Sequence, residues 1–387
     1  MTGLLPGPDA SAAPPASPTA EAALDTLHVV VLSWHGRDDT LRCVTSALAD
    51  GLAPHQVLVV DNGSGDGLEE ALRALDPHVR FRQTGANLGF TGGMNHGIRA
   101  CLAEGAGLVC VLNNDTQVTP GMFAALVRHA APGTAVSPEV RYLDEPEAVW
   151  FGGGVVEADR GWPRHLTPAE LARDDVADPT RVLRESQTLA GCCVLAPADT
   201  WRAVGLFDPQ YFLLFEDADW SARARALGVR LVVARDAVLL HAVSASFTGP
   251  GRLLSSYYYA RNAMRFTRLR VTRRPAARLR FIRDQLARPA ARRIRSGDVR
   301  GGTWEALFAA AGLAADALRR YGPAPGVVLR CARRAAPPPP APPCLLYPSD
   351  AAHAPPRVAL APDPDRIRIV SDSVEATHRA SHRAPAA

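Results

Sequence analysis

The chain contains no lysine; all 43 of its basic residues are arginine, in a length of 387. With the heavy alanine and proline content, this reads as a bias of the coding sequence rather than as a function. The formal charge is only +4, so the whole protein is no polycation, and no nucleic-acid-reading motif accompanies its arginines. No apolar run approaches the length of a membrane span. Residues 1–24 lack the basic start and apolar centre of a signal peptide. The cysteines (Cys43, Cys101, Cys110, Cys192, Cys193, Cys331 and Cys344) include no C-x-x-C pair. Most fall inside apolar stretches, the pattern of buried free thiols in a reducing compartment; a redox pair at Cys192–Cys193 is the lesser reading. Also missing is a G-x-G-x-x-G run directly after the first strand, so the dinucleotide fingerprint is excluded.

What is present is a regular alternation. Apolar runs at 28–33, 57–60 and 108–112 read as strands, and 79–82 as a weaker one. Between them, apolar residues recur at helical spacing: Leu41, Val44 and Leu48, then Leu68, Leu72 and Leu75, then Met94, Ile98 and Cys101. This predicts an α/β fold with a parallel sheet and right-handed crossovers. Leu108 to Leu112 is apolar without alternation, as in a strand buried on both faces. Further on, the pattern predicts strands at 135–140, 149–155, 188–195, 229–233 and 237–240, and helices at 198–204 and from Glu216. Residues 157–186, charged and proline-containing, read as a loop over one face. From residue 252 the composition shifts: 14 arginines and two acids lie between Arg261 and Arg300, with Tyr257, Tyr258, Tyr259, Phe266 and Phe281 interleaved. Two readings compete there, solvated helix faces and a patch for an anionic membrane or a lipid-linked phosphate. Gly312 to Arg320 reads as one more amphipathic helix. The expected partition is a disordered leader (1–26), an α/β nucleotide-binding domain (27–251), a basic helical extension (252–334) and a Pro/Ala-rich disordered tail (335–387).

The chemistry-bearing residues gather at strand ends, where open α/β sheets place their ligands. Asn113, Asn114 and Asp115 follow the 108–112 strand; Asp115 either shapes a turn or holds a hard cation that in turn holds a phosphate. Asp61, ending the second strand, either caps the next turn or binds a base or ribose. Gly85 to Gly97 reads as a glycine-rich loop leading into a helix, either a plain turn or a place where backbone amides approach a diphosphate. Glu216, Asp217 and Asp219 open a helix, a position its dipole favours for any acid. After an aromatic run such acids are partly desolvated, which raises a carboxyl pKa and suits a general base. His241 follows an apolar strand and gains meaning only if it meets Asp115 in space.

In order, Val29–Trp34, Val59–Ser64, Gly85–Asn95, Leu112–Asp115, Phe215–Asp219 and His241–Ser244 resemble the inverting glycosyltransferases of family 2, in particular their rhamnosyltransferase-like branch. The resemblance covers residues 27–265 and implies a GT-A fold, a nucleotide-sugar donor (dTDP- or UDP-linked) and Mg²⁺ or Mn²⁺. By position it sets Ser33 and Asp61 beside the donor base and ribose, and Asn87, Gly92 and Asn95 near the diphosphate or sugar. Asp115 matches the last acid of the metal motif, with Asn113 where the strict motif has Asp, and His241 matches the metal-side histidine. Asp217 matches the general base, with Glu216 in reserve. The implied reaction moves a sugar, rhamnose in the branch resembled, to a hydroxyl of a cell-wall, polysaccharide or lipid-linked acceptor. The implied setting is cytoplasmic, at the inner membrane face through Arg261–Arg300, with no nucleic-acid partner. Two rivals stay open: a nucleotidyltransferase, which needs a basic residue in the glycine segment where only His96 stands, and an inactive nucleotide-sugar-binding scaffold.

Overall fold

Branched apolar residues in short runs form the strands of the first half. A computed structural model describes residues 23–157, 161–243, 250–272 and 274–335. The leader to residue 22, Ser244, Arg273, Cys344 and the tail from 336 lie outside the described residues. The first half runs β1 (Leu27–Ser33), α1 (Arg37–Ala49), β2 (Val57–Asp61), α2 (Leu68–Leu75), β3 (Arg80–Gln83), α3 (Gly89–Ala103) and β4 (Leu108–Asn113). Val29, Val30, Val31, Val57, Val59, Val60 and Val109 to Leu112 are fully buried, as runs without alternation require in a sheet covered on both faces. β1 pairs in parallel with both β2 and β4, matching Ser33 with Asp61 and Leu32 with Asn113. Three polar strand ends are thereby level at one carboxyl edge.

The second half adds β5 (Thr116–Val118), α4 (Met122–His129), β6 (Thr134–Tyr142), β7 (Val149–Phe151), β8 (Gly154–Glu157), β9 (Trp162–His165), α5 (Pro168–Ala177), β10 (Leu183–Glu185), β11 (Cys193–Pro197), α6 (Ala198–Val204), α7 (Glu216–Ala226) and β12 (Arg230–His241). The main sheet has the order β10-β12-β6-β11-β4-β1-β2-β3, with β5 on β12 and β7 on β6. β11 is antiparallel to both of its neighbours, so the sheet is mixed. The chain then continues as α8 (Pro250–Phe266), α9 (Pro275–Phe281), α10 (Arg288–Arg295), α11 (Val299–Ala317) and α12 (Gly326–Ala335). These helices share a second core with β9 and the segment before α7, built on Trp162, Tyr211, Phe215, Tyr257, Tyr259, Phe266 and Phe281. All the described residues belong to one compact unit.

Several expectations need correction. Residues 157–186 are no plain loop; they hold β9, α5 and β10. The expected strand at 149–155 is two, broken at Gly152–Gly153, because β7 pairs with β6 and β8 with β9. The strand expected at 188–195 begins only at Cys193, since the backbone N–H of Leu189 goes to Ser221 Oγ (3.0 Å) and that of Gly191 to Asp217 (3.0 Å). The strands at 229–233 and 237–240 are one, β12, with a register shift between Ala234 and Val238. Gly312 to Arg320 is no separate helix; its first part is the end of α11, which stops at Ala317. Cys331 is exposed, whereas Cys43, Cys101, Cys110, Cys192 and Cys193 are buried free thiols.

Candidate active site

Asp115 lies in the turn between β4 and β5. That turn is held by Thr116 Oγ1 donating to the Asn113 carbonyl (2.6 Å) and by Asn114 Nδ2 donating to Thr40 Oγ1 of α1 (3.0 Å). β5 pairs antiparallel with the end of β12, matching Thr116 with His241. Two residues 126 positions apart thus meet, with His241 Nε2 3.1 Å from Asp115 Oδ1. Burial pushes the Asp115 carboxyl up, but the charge and hydrogen bond of His241 outweigh it and hold the pKa below the ordinary value. His241 Nδ1 and Asn113 Oδ1 are buried with no hydrogen-bond partner.

Asp217 stands in the first turn of α7, where Oδ2 accepts from Gly191 N–H (3.0 Å) and Oδ1 from Ala218 N–H (2.7 Å). Burial raises its pKa, opposed by those amides and by His165. The link to Asp115 runs through the next residue: Cys192 O accepts from Asn113 N–H (2.8 Å), and both carboxylates push the Cys192 thiol up, after burial itself. On the other side Trp150 stands between His165 and His241, edge to face, with ring centroids 4.8 and 4.9 Å away. Its Nε1 is buried without a partner. Asp115 and His241 are thus in direct contact, and Asp217 is joined to them through Gly191, Cys192 and Asn113.

Glu216 is buried behind Asp217 with Oε2 unpartnered, and burial followed by the Asp217 charge pushes its pKa well up. Asp219, in the same turn, is fully buried and structural; it receives Tyr211 Oη–H (3.2 Å), Arg223 Nε–H (2.9 Å) and Arg270 Nε–H (2.7 Å). The segment in front of this helix is strained. Phe212, Leu214 and Phe215 have φ of 66°, 70° and 71°, a region that costs a bulky residue about 1–3 kcal/mol.

The donor-side residues divide. Ser33 Oγ is buried, 2.9 Å from Thr40 Oγ1. Asp61 caps its turn, with Oδ1 and Oδ2 accepting from Ser64 N–H (3.1 and 3.2 Å) and Oδ2 from Gln83 Nε2 (3.1 Å). Asn87 is exposed, and its Oδ1 takes Gly89 N–H (2.8 Å). Gly92 lies in the first turn of α3, where an added Cβ would stand 2.6 Å from Leu88 Cβ. Asn95, expected near the diphosphate, is 1% exposed and bonds the Phe207 backbone with both ends of its amide (2.7 and 3.0 Å). It is a strut between α3 and the 205–215 segment, because the rotation of α3 turns it inward. The glycine segment is likewise less of a loop than expected. Gly93 and Gly97 are helical and bring α3 against Leu32 and Val30.

Sequence reasoning missed Trp150, His165, Gly191, Arg261 and Asn262. The first three have no local pattern to mark them. The last two form a polar pair among aromatic residues in α8, a signal hidden by the general abundance of arginine.

Among the described residues, no group of three or more His, Cys, Asp or Glu side chains gathers to hold a metal unaided. Asp115 and His241 Nε2 are the two groups there whose chemistry suits a divalent cation completed by diphosphate oxygens and water, with Nε2 giving up its contact with the carboxylate.

Polar residues thus gather at the carboxyl edge of the sheet, where open α/β sheets place their ligands. Residues 29–170 match the profile of Glycosyl transferase family 2. The chain is 31% identical over 240 residues to an N-acetylglucosaminyl-diphospho-decaprenol L-rhamnosyltransferase of Mycobacterium tuberculosis, an alignment covering 56% of this chain and 76% of that one. It is 23% identical over 223 residues to the low-salt glycan biosynthesis hexosyltransferase Agl10 of Haloferax volcanii, covering 54% and 65%. Among solved structures it is similar to GalNAc-T7 with UDP, GalNAc and Mn²⁺, at a TM-score of 0.47 and 15% identity, covering 66% of this chain and about half (54%) of that one. The chain belongs to glycosyl transferase family 2, and its α/β fold is of the GT-A type.

Proposed function

We propose that this glycosyltransferase is inverting and metal-assisted, and that it moves a sugar, rhamnose as the first candidate, from a dTDP- or UDP-linked donor to a hydroxyl of a lipid-linked or polysaccharide acceptor. The observation that supports this is the contact of His241 with Asp115 and the chain of bonds through Cys192 and Gly191 that links them to Asp217. The rhamnosyl preference rests on the mycobacterial relative.

Asp115 and His241 would hold Mg²⁺ or Mn²⁺, with Asn113 on the donor side. Such a cation, when bound, neutralises charge gathering on the departing diphosphate. Ser33 and the turn built on Asp61 floor the nucleoside side of the cleft. Asp217, its pKa raised by burial, takes the proton from the acceptor hydroxyl. The acceptor oxygen bonds to the anomeric carbon as the bond from that carbon to the diphosphate oxygen breaks, and one displacement inverts the centre. Gly191 and Ala218 aim the Asp217 carboxylate through their amides. Glu216, buried and with its pKa pushed well up by burial and the Asp217 charge, stays out of proton transfer.

The test is release of nucleoside diphosphate from a panel of nucleotide sugars, with and without acceptor. Asp217→Asn should lower turnover by about 10³-fold or more while donor binding, read by calorimetry, stays within about threefold. Asp115→Ala should weaken donor binding only when metal is present; an equal loss without metal would count against a cation at that corner.

The C-terminal arginines are proposed to dock the enzyme at an anionic membrane, through the part of them that is free. Arg265, Arg268 and Arg270 are spent on Asp208 (2.6 Å), Asp316 (2.8 Å) and Asp219 (2.7 Å), and Arg283 and Arg288 share Asp284. Arg274, Arg292, Arg295 and Arg300 are exposed, near exposed Leu279 and Val299. No helix among the described residues is long and apolar enough to cross a membrane.

A further inference from the structure

We propose that Arg261 and Asn262, on α8, are positioning residues that hold the general base in place by clamping the strained segment ahead of it. The inference rests on Asp217 as that base. Phe212, Leu214 and Phe215 all take left-handed backbone angles within four positions, with no glycine or asparagine among them. Such a conformation persists only where its surroundings over-determine it.

Here the surroundings are two side chains with no exposure at all. Asn262 Nδ2 donates to the carbonyls of Tyr211 (2.9 Å), Leu213 (2.7 Å) and Leu214 (2.9 Å). Arg261 Nη2 donates to the carbonyls of Tyr211 (2.8 Å) and Gln210 (3.3 Å), and its Nη1 to Gly322 (2.6 Å). Arg261 Nε donates to Asn262 Oδ1 (2.9 Å), fixing which way the amide faces.

A guanidinium this deep ordinarily meets a carboxylate. Arg261 has no ion pair among the described residues. It is met by carbonyl oxygens and by the rings of Tyr257, Tyr258 and Tyr321, at 5.5, 4.9 and 5.9 Å. Burial holds its pKa below the ordinary arginine value. An apolar side chain would fill the space at less cost in desolvation; what the pair adds is directed bonds to the backbone of one segment.

That segment also reaches the donor side. Phe212 O accepts from Thr91 N–H of α3 (3.3 Å), its ring stacks on Tyr258 (5.2 Å, 15°), and Gly89 has no room for a Cβ against it. α3 keeps its own seat on β1 through Gly93 and Gly97, so the loop that α8 holds bears chiefly on the helix carrying Asp217.

Asn262→Gln keeps the amide but moves it one methylene outward, so it cannot reach three carbonyls from one point. The full chain should lose about 30-fold or more in kcat, with donor KM within about twofold, because misplacing a reacting group by an ångström costs that order of rate. Water admitted to Asp217 should also move the acid limb of kcat/KM to lower pH by about half a unit or more. The groups facing Asp217, namely Glu216 on α7, His165 on β9 and Cys192 before β11, are untouched by the substitution. An unchanged kcat overturns the proposal. So does a joint change in kcat and donor KM with a fixed acid limb, which marks a merely structural role. If the glutamine protein does not fold, Asn262→Ser is read by the same quantities. Asp217→Asn is run in parallel: if it keeps its turnover, the base assignment has failed, and if it alone is inactive, only the clamp has.

Discussion

Glu216 and Asp217 are neighbours in sequence with opposite surroundings. Asp217 has two backbone amides to stabilise its charge; Glu216 has a buried oxygen with no donor. Burial, followed by the neighbouring Asp217 charge, pushes the Glu216 pKa well up. An acid whose folded pKa is raised withholds stability as pH climbs above its unfolded pKa of about 4.3. Glu216→Gln should thus raise the melting temperature at pH 8 by about 2–4 °C, with the gain vanishing near pH 4. Calorimetry at the two pH values decides it, and a loss at pH 8 would show that the glutamate is needed ionised. At this scale the sequence was informative where a residue ends a strand or opens a helix, as with Asp115, His241 and Asp217. It was uninformative for His165 or Asn262, whose roles arise from contacts more than 45 positions away.

The helices and strands explain why the glycines of 85–97 misled. Gly93 and Gly97 are four apart, on the face of α3 that meets β1, and added Cβ atoms would press on Leu32 and Val30. Gly97→Ala should destabilise the protein by about 1–3 kcal/mol, read from the midpoint of urea unfolding; a neutral result would mean that the helix can lift from the sheet. The parallel half was legible because β1, β2 and β4 are continuous apolar runs. The 157–186 stretch was not, because strands of three or four residues carry too few positions to show a period. One signal there was readable: Thr167 and Glu170 form the reciprocal cap that starts α5, with Thr167 N–H on Glu170 Oε2 (2.7 Å) and Glu170 N–H on Thr167 Oγ1 (3.3 Å).

For the molecule as a whole, folding consumes much of its basic character. An arginine count overstates the charge presented to a partner, since Arg265, Arg268 and Arg270 are tied to acids of α11, α7 and the segment between α6 and α7. The proposed membrane contact is accordingly specific. Reversing Arg292 and Arg295 to Glu should reduce sedimentation with vesicles rich in anionic lipid by about fivefold or more, leaving diphosphate release with a soluble acceptor unchanged. Equal sedimentation of the two proteins would place the contact elsewhere.

The pairing of β5 with β12 has a consequence for how the enzyme comes into being. β1 meets β2 within the first 61 residues and β4 within the first 113, whereas Asp115 waits for a partner 126 positions later in the chain. Catalytic competence is therefore among the last properties acquired during folding, because distant contacts carry the largest closure entropy. Fraying at the end of β12 would silence the enzyme while its central sheet stayed whole, so turnover should fade earlier than circular dichroism on gentle heating.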